Sequence, residues 1–94
     1  MERTINYISV HGTKENPITN KEIGRTLDLS EQAIRKHINE ARCNGIPICS
    51  CREGYFISND KADILQTIQR LMHRTIAVEK AVNGLLTTLY DKVE

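Results

Sequence analysis

The 94-residue sequence has few aromatic side chains and no tryptophan. It contains one phenylalanine and three tyrosines, so a folded core has to be built mainly from aliphatic side chains. No stretch approaches the roughly 20 apolar residues that a membrane-spanning helix requires, and this predicts that the protein has no membrane partner. The first residues, MERTINYISV, lack a basic segment followed by an apolar run, so we expect no signal peptide.

The chain also lacks an excess of charge of either sign. Its 13 basic and 12 acidic side chains give a net charge of +1, which excludes a strongly basic coat but allows a local basic stripe. The three cysteines are an odd number without an export signal, so a disulfide framework is not expected. The predicted location is the cytoplasm, in association with the nucleoid, or the host cytoplasm if the protein is encoded by a phage.

Motifs for catalysis and for cofactors are missing as well. The sequence has no glycine-rich phosphate loop and no Ser/His/Asp or Cys/His arrangement typical of nucleophilic enzymes, so we predict neither an enzyme nor a cofactor. One histidine and the three cysteines hold enough ligand atoms for zinc, but their spacing matches no standard zinc finger. We therefore predict no metal site, and we expect the cysteines to pack as small apolar side chains. The residues concerned are His37, Cys43, Cys49 and Cys51.

The first part of the chain contains short elements with clear beginnings and ends. Residues 3–11 carry isoleucines at helical spacing and stop at Gly12, which predicts a first helix. The segment Thr19–Glu22 has the sequence of a capping box and opens a second helix. Gly24 lies inside that helix, where glycine costs about 1 kcal/mol relative to alanine, and this indicates that another backbone passes close. Ile18 is expected to form a single bridge to a later strand.

A third helix and a hairpin follow. Ser30 is the predicted N-cap of a helix over residues 31–43, and Asn44–Gly45 provides its C-terminal stop. Two short apolar segments with a charged turn at residues 51–54 between them predict a β-hairpin. The predicted strands are Ile46–Ser50 and Tyr55–Ile57.

These elements together predict a winged helix-turn-helix, in which a short turn joins the second and third helices. The run KEIGRTLDLSEQAIRKHINEARCNGIPICSCREGYFIS resembles the N-terminal DNA-binding domain of the biotin repressor and related bacterial regulators. The resemblance covers about residues 18–58 and implies a DNA-reading module. The glycine- and arginine-rich nucleotide loop of the repressor's ligase domain has no counterpart here, so biotin chemistry is not implied. The matching residues are Leu29-Ser30, Ala33-Ile34, Lys36, Ile38, Gly45-Ile46 and Gly54-Tyr55.

The third helix has an apolar side and a polar side. The apolar side is centred on Ile34, Ile38 and Ala41. The opposite side carries amides and cations, which pair with adenine and guanine edges in the major groove. Hydroxyls at helix N-termini and nearby lysines suit phosphates, and an arginine at a hairpin tip suits a phosphate or the minor groove. An ordinary solvated face is the alternative, which Glu31 and Glu40 favour. The predicted DNA-binding residues are Lys21, Ser30, Gln32, Arg35, Lys36, Asn39 and Arg52.

From residue 59 onward the sequence predicts one long helix. Its apolar residues, with Thr75 included as a weak spot, follow alternating steps of four and three through about four heptads, as in a coiled coil. Leu65, Met72 and Leu86 widen this stripe, so a dimer is expected and a tetramer is allowed. Such a helix spans roughly 50 Å, more than the width of a small domain, so much of the stripe should be exposed for self-association. The predicted seam is Ile64, Ile68, Leu71, Val78, Val82, Leu85 and Leu89.

We therefore predict a mainly α protein with a small β-hairpin wing, in which a winged helix-turn-helix domain (residues 1–58) precedes an oligomerisation helix (residues 59–94). The predicted function is sequence-specific regulation of transcription. A homodimer places two recognition helices, residues 31–43, on double-stranded DNA, with the wing at residues 51–54 beside them. The alternative is a winged-helix adaptor in a phage replication or anti-host complex, which does not read DNA sequence. The near-neutral charge favours that alternative.

Overall fold

The computed structural model describes residues 2–93. It contains three short helices, a two-stranded antiparallel hairpin and one long C-terminal helix, so the predicted fold class is confirmed. The elements are α1 (Glu2–His11), α2 (Asn20–Leu27), α3 (Glu31–Cys43), β1 (Ile48–Cys51), β2 (Gly54–Ile57) and α4 (Lys61–Val93).

Capping side chains set the boundaries of α2 and α3. Thr19 Oγ1 accepts a hydrogen bond of 3.1 Å from the Glu22 N–H, as an N-cap does. Ser30 Oγ accepts a bond of the same length from the Ala33 N–H, so both predicted N-caps are confirmed. Asp28 ends α2 in the left-handed conformation with a φ of 55°, which aspartate tolerates better than most residues. The chain therefore turns within three residues between α2 and α3.

Two glycines allow backbone segments to approach closely. A Cβ atom at Gly24 would lie 2.8 Å from the Leu29 carbonyl oxygen, so the predicted close approach in α2 is confirmed. Gly54 has a φ of 144°, and a Cβ atom there would overlap the Ile18 backbone. Ile18 N–H donates to the Tyr55 carbonyl oxygen at 2.9 Å, and Tyr55 N–H donates back at 2.8 Å. Ile18 thus forms the predicted bridge to β2.

The hairpin is slightly shorter at its first strand than the sequence indicates. It pairs Ile48 with Ile57 at its open end. The prediction that the first strand begins at Ile46 is wrong, because the Ile48 N–H donates to the Ile46 carbonyl oxygen at 2.8 Å and bends the chain at Pro47. The second strand begins one residue earlier than predicted, at Gly54. The turn that joins the strands lies inside the predicted wing.

The core between the three helices and the hairpin is aliphatic, as the composition predicts. Every element from α1 to β1 contributes an isoleucine, and the apolar side of α3 lies at its centre. Tyr55 and Ile57 of β2 pack against this core, whereas Phe56, which is 5% exposed, lies outside the cluster. Packing against this core fixes which side of α3 faces the solvent. The core cluster is Ile8, Ile18, Ile23, Ile34, Ile38, Ala41 and Ile48.

The first turns of α4 dock on the hairpin through buried polar side chains. Asp63 and Thr67 are each 5% exposed. The Asp63 carboxylate forms an ion pair of 2.9 Å with Lys14 and accepts a hydrogen bond of 2.8 Å from Ser58 Oγ. These two donors, Lys14 first, hold the pKa of Asp63 below its ordinary value. Thr67 Oγ1 accepts a bond of 3.1 Å from the Ser50 N–H, so the helix satisfies an edge group of β1.

The rest of α4 extends away from the other elements. The molecule measures 57 × 32 × 23 Å, and the described side chains from Met72 to Asp91 are exposed. Ile64 and Leu71 of the predicted seam are half-buried, because they line a groove of about 320 Å³ against Gly45–Cys49. None of the helices within residues 2–93 has the length and apolar character needed to cross a membrane. The other seam residues, Ile68, Val78, Val82, Leu85 and Leu89, are 46–72% exposed.

Candidate nucleic-acid interface

The polar side of α3 is a row of exposed side chains opposite the core. Gln32, Lys36 and Asn39 are spaced by four and three residues, so they follow one another along a single face. Arg35 borders this row and is also exposed. Its Nη2 atom is 3.9 Å from Glu31 Oε2, a long contact at the surface that contributes little stability. The cations and amides of this face are therefore available to a ligand.

Two hydrogen bonds help to hold α3 in position. His37 Nδ1 lies 2.8 Å from Thr4 Oγ1 on α1, and Thr4 is fully buried. Near the other end of the helix, Arg42 Nε donates to the Ile48 carbonyl oxygen at 2.8 Å. His37 is half-buried, and nothing in the sequence identifies Thr4 as its partner. Because these bonds join α3 to α1 and β1, the polar row sits on a rigid support.

The other predicted DNA-binding residues lie on neighbouring elements. Lys21 is exposed in the first turn of α2, and Arg52 is exposed in the turn of the hairpin. Ser30 is exposed at the N-terminus of α3, where its hydroxyl already accepts from the helix backbone. All seven predicted residues are thus at the surface. Lys21 and Arg52 are not joined to the α3 row by any hydrogen bond or ion pair within residues 2–93.

A groove of about 460 Å³ runs between α3 and α4. Arg35 and Asn39 line it from α3, and Arg74 and Val78 line it from α4. The long helix therefore borders one flank of the polar side of α3. Gln32 and Lys36 lie outside the groove. The sequence predicts both helices but not that the stretch of α4 around Arg74 and Val78 faces α3 across this groove.

Cys43 extends the polar row by one more turn. It follows Asn39 by four residues and is an exposed free thiol. The prediction that the cysteines pack as apolar side chains is right for Cys49, which is 1% exposed, and wrong for Cys43. The helical spacing from Asn39 is the signal in the sequence that places Cys43 on the solvent side. A chemical label on Cys43 would therefore lie at the candidate interface.

Comparison with known proteins identifies a family that matches the part of the chain containing α2 and α3. A family model for an HTH domain matches residues 11–56, which include α2, α3 and the paired residues of the hairpin up to Phe56. The matched family and the observed order of three helices and a two-stranded hairpin indicate the same fold. Residues 11–56 form a winged helix-turn-helix domain. Together with α1, which packs against α2, α3 and β2, they are called the winged domain below. No curated protein and no solved structure matches the chain.

The match to the HTH domain family supports a DNA-binding regulator in general. Domains of this family are typically not enzymes. In the helix-turn-helix, the second of the two helices that flank the short turn is the one that enters the major groove. In this winged domain that helix is α3, which carries the exposed polar row.

Proposed function

We propose that the protein is a sequence-specific regulator of transcription that binds double-stranded DNA as a dimer or higher oligomer. The exposed polar row on α3 carries this proposal. Gln32, Lys36 and Asn39 face the solvent, whereas the opposite side of the same helix is buried in the core. A helix held in this way can enter the major groove with its donors and acceptors already in place.

Each residue type in the row has a matching partner on DNA. The amides of Gln32 and Asn39 can pair bidentately with adenine, and Lys36 and Arg35 can pair with the O6 and N7 atoms of guanine. Contacts to phosphates position the protein without reading sequence. The residues proposed to contact phosphates are Lys21, Ser30 and Arg52, with the adjacent minor groove as a second target for Arg52.

Self-association compensates for the weak overall charge. A single chain with a net charge of +1 attracts DNA weakly, whereas in a dimer the second binding step becomes intramolecular. The exposed apolar residues of α4 beyond Met72 supply a surface for this dimer, because stripes of that size mark interfaces. The expected target has two half-sites separated by one helical turn of DNA or a multiple of it.

DNA binding to the protein's own genomic neighbourhood tests the proposal. The wild type should bind such a duplex more tightly than a random duplex from low to physiological salt. Replacing Arg35 and Lys36 with alanine should weaken binding by about 1–3 kcal/mol for each base that the variant no longer pairs with. The matched control is Lys80→Ala, which removes an exposed cation from α4. Fluorescence anisotropy gives the affinities, and light scattering checks that the oligomer is unchanged.

Two outcomes would count against the proposal. Equal affinity of the Arg35→Ala/Lys36→Ala variant and the wild type would show that α3 does not read the DNA. An equal collapse of binding to both duplexes with rising salt would leave only non-specific attraction to phosphates.

An adaptor that binds another protein is the second candidate. The near-neutral charge favours it, and so does the position of Glu31 beside Arg35, which reduces the positive potential of the polar row. In that case the chain would retain one stoichiometric protein partner and no DNA in a pull-down. Failure of a Gln32→Ala/Lys36→Ala variant to retain that partner would place the contact on α3.

A further inference from the structure

A polar cavity lies between the wing and the long helix. Its volume is about 250 Å³, and arginines from three separate elements line it. Glu53 contributes one carboxylate, and within the described chain no other acidic residue lines the cavity. The lining therefore carries a clear excess of positive charge, in a protein that is nearly neutral as a whole. The four arginines are Arg42 from α3, Arg52 from the hairpin turn, and Arg70 and Arg74 from α4.

These arginines have no anionic partner within residues 2–93. The two ion pairs found there join Lys14 to Asp63 and Arg35 to Glu31, so neither involves the cavity. Arg42 uses its Nε atom for the Ile48 carbonyl. Its Nη2 atom is buried without a hydrogen-bond partner, which is costly for a charged donor.

The second buried atom without a hydrogen-bond partner belongs to another residue that lines this cavity. Across residues 2–93, the buried side-chain atoms without a hydrogen-bond partner are Arg42 Nη2 and Asn20 Oδ1. Asn20 also lines the cavity. Its amide, turned by half a rotation, would offer an NH₂ donor in place of the unpartnered oxygen. Both unsatisfied groups therefore belong to residues that line one cavity.

The arginines also repel one another. Arg70 and Arg74 are four residues apart on α4, where like charges destabilise a helix. Burial lowers the pKa of Arg42, and the charge of Arg74 lowers that pKa further. An anion between these groups would convert this repulsion into attraction.

We infer that this cavity binds a phosphate group. Guanidinium groups present several donors in a planar fork that matches the oxygens of phosphate, and charge-assisted bonds of this kind are strong. Ser50 and Thr19 add hydroxyl-bearing side chains to the lining. The phosphate can come from the DNA backbone or from a small phosphorylated molecule. The first source rests on the proposed function, whereas the second does not.

Inorganic phosphate is the first probe. The full chain is melted in sodium phosphate and in sodium chloride of equal ionic strength, with circular dichroism as the readout. Phosphate at about five times its Kd should raise the Tm of the wild type by about 4–8 °C. The Arg70→Gln/Arg74→Gln variant should lose this rise, and the control Lys80→Gln should keep it. Both substituted arginines are exposed, so the variant should fold.

DNA binding of the same variants identifies the source of the phosphate. If a backbone phosphate occupies the cavity, the double variant should bind DNA more weakly, and the slope of log K against log salt should fall by about 1 because one phosphate is no longer neutralised. If a small molecule occupies it, the Tm effect should disappear while DNA affinity stays unchanged.

The outcomes distinguish the phosphate site from DNA reading by α3. If phosphate stabilises the wild type but the wild type binds no DNA, the result would support phosphate binding in the cavity and contradict the proposed DNA-binding function. Equal behaviour of the wild type and the double variant in both the phosphate and the DNA experiments would overturn the inference.

Discussion

The winged domain and the part of α4 beyond Met72, here called the outer part of α4, contain similar aliphatic residues. These residues are buried in the core of the winged domain and exposed on the outer part of α4. Ile8, Ile23 and Ile34 are completely buried in the winged domain, whereas Leu85 and Leu89 on α4 are 72% and 56% exposed. The winged domain closes on itself because three helices and a hairpin surround one small volume. The helix extends past that volume, so its apolar residues from Val82 to Leu89 remain exposed. The comparison shows that one region buries its aliphatic residues within the chain, whereas the other exposes them in a stripe that we propose joins a second chain.

The largest expected effect comes from charging the outer part of α4. Val82→Lys/Leu85→Lys should convert the proposed oligomer into a folded monomer, because two lysines cannot be buried in an apolar seam. DNA affinity should fall by about 10²–10⁴, since the second binding step is no longer intramolecular. Sedimentation gives the mass, and anisotropy gives the DNA affinity.

A matched variant separates charge from position. Asn83→Lys/Thr87→Lys adds two lysines to the same exposed segment but outside the seam, so it should leave the mass unchanged. If Val82→Lys/Leu85→Lys also keeps the wild-type mass, the outer part of α4 does not join chains.

Disrupting the core of the winged domain should give the next largest effect. Ile34→Ala removes a completely buried side chain and should cost about 2–5 kcal/mol of unfolding free energy, because it leaves a cavity. Val10→Ala shortens a side chain that is 73% exposed on α1, and it should change stability by less than about 0.5 kcal/mol. Urea denaturation followed by circular dichroism measures both. Similar costs for the two variants would contradict the described core.

A smaller effect should follow from labelling the polar row of the winged domain. A bulky maleimide on Cys43, in a Cys51→Ser background, should weaken DNA binding about tenfold, which corresponds to ~1.4 kcal/mol. Cys49 is buried, so the label should be confined to Cys43. The mass of the oligomer should stay the same, because α4 is not modified. The control is the same reagent applied to a Cys43→Ser/Cys51→Ser variant. If the labelled protein binds DNA as well as the unlabelled protein, α3 is not the DNA-binding surface.

Local chemistry explains why most of the winged domain could be predicted from the sequence. Thr19 and Ser30 are N-caps whose hydrogen bonds depend on residues three positions later, and Gly24 acts through a turn five residues away. The apolar spacing of α3 likewise determines its buried and exposed sides. For the same reason all seven predicted DNA-binding residues are exposed, while their roles on DNA remain a prediction.

Contacts between distant segments could not be predicted in the same way. Thr4 and His37 are 33 residues apart, and the hydrogen bond between them depends on how α1 lies on α3. The arginine-lined cavity needs the placement of α4 beside the wing, which no periodicity in the sequence encodes. The apolar pattern of α4 predicts a continuous seam, but buried Asp63 and Thr67 lie on its docked part. Only the fold shows that Thr67 attaches this helix to β1 and that Asp63 attaches it to Lys14 and Ser58.

The junction between the two regions supplies the smallest predicted effect. The pKa of Asp63 is lowered by Lys14 and Ser58, so the ionised carboxylate stabilises the folded state. This contribution is complete above the ordinary Asp pKa of 3.8 and is lost as pH falls through the lowered pKa of the folded state. Asp63→Asn should therefore lower the Tm at pH 7 and flatten the decline of Tm below about pH 4. Thermal melts from pH 7 to pH 2 measure both, with Asp91→Asn on exposed α4 as the control. A parallel acid decline in the wild type and Asp63→Asn would show that this ion pair does not stabilise the docked helix.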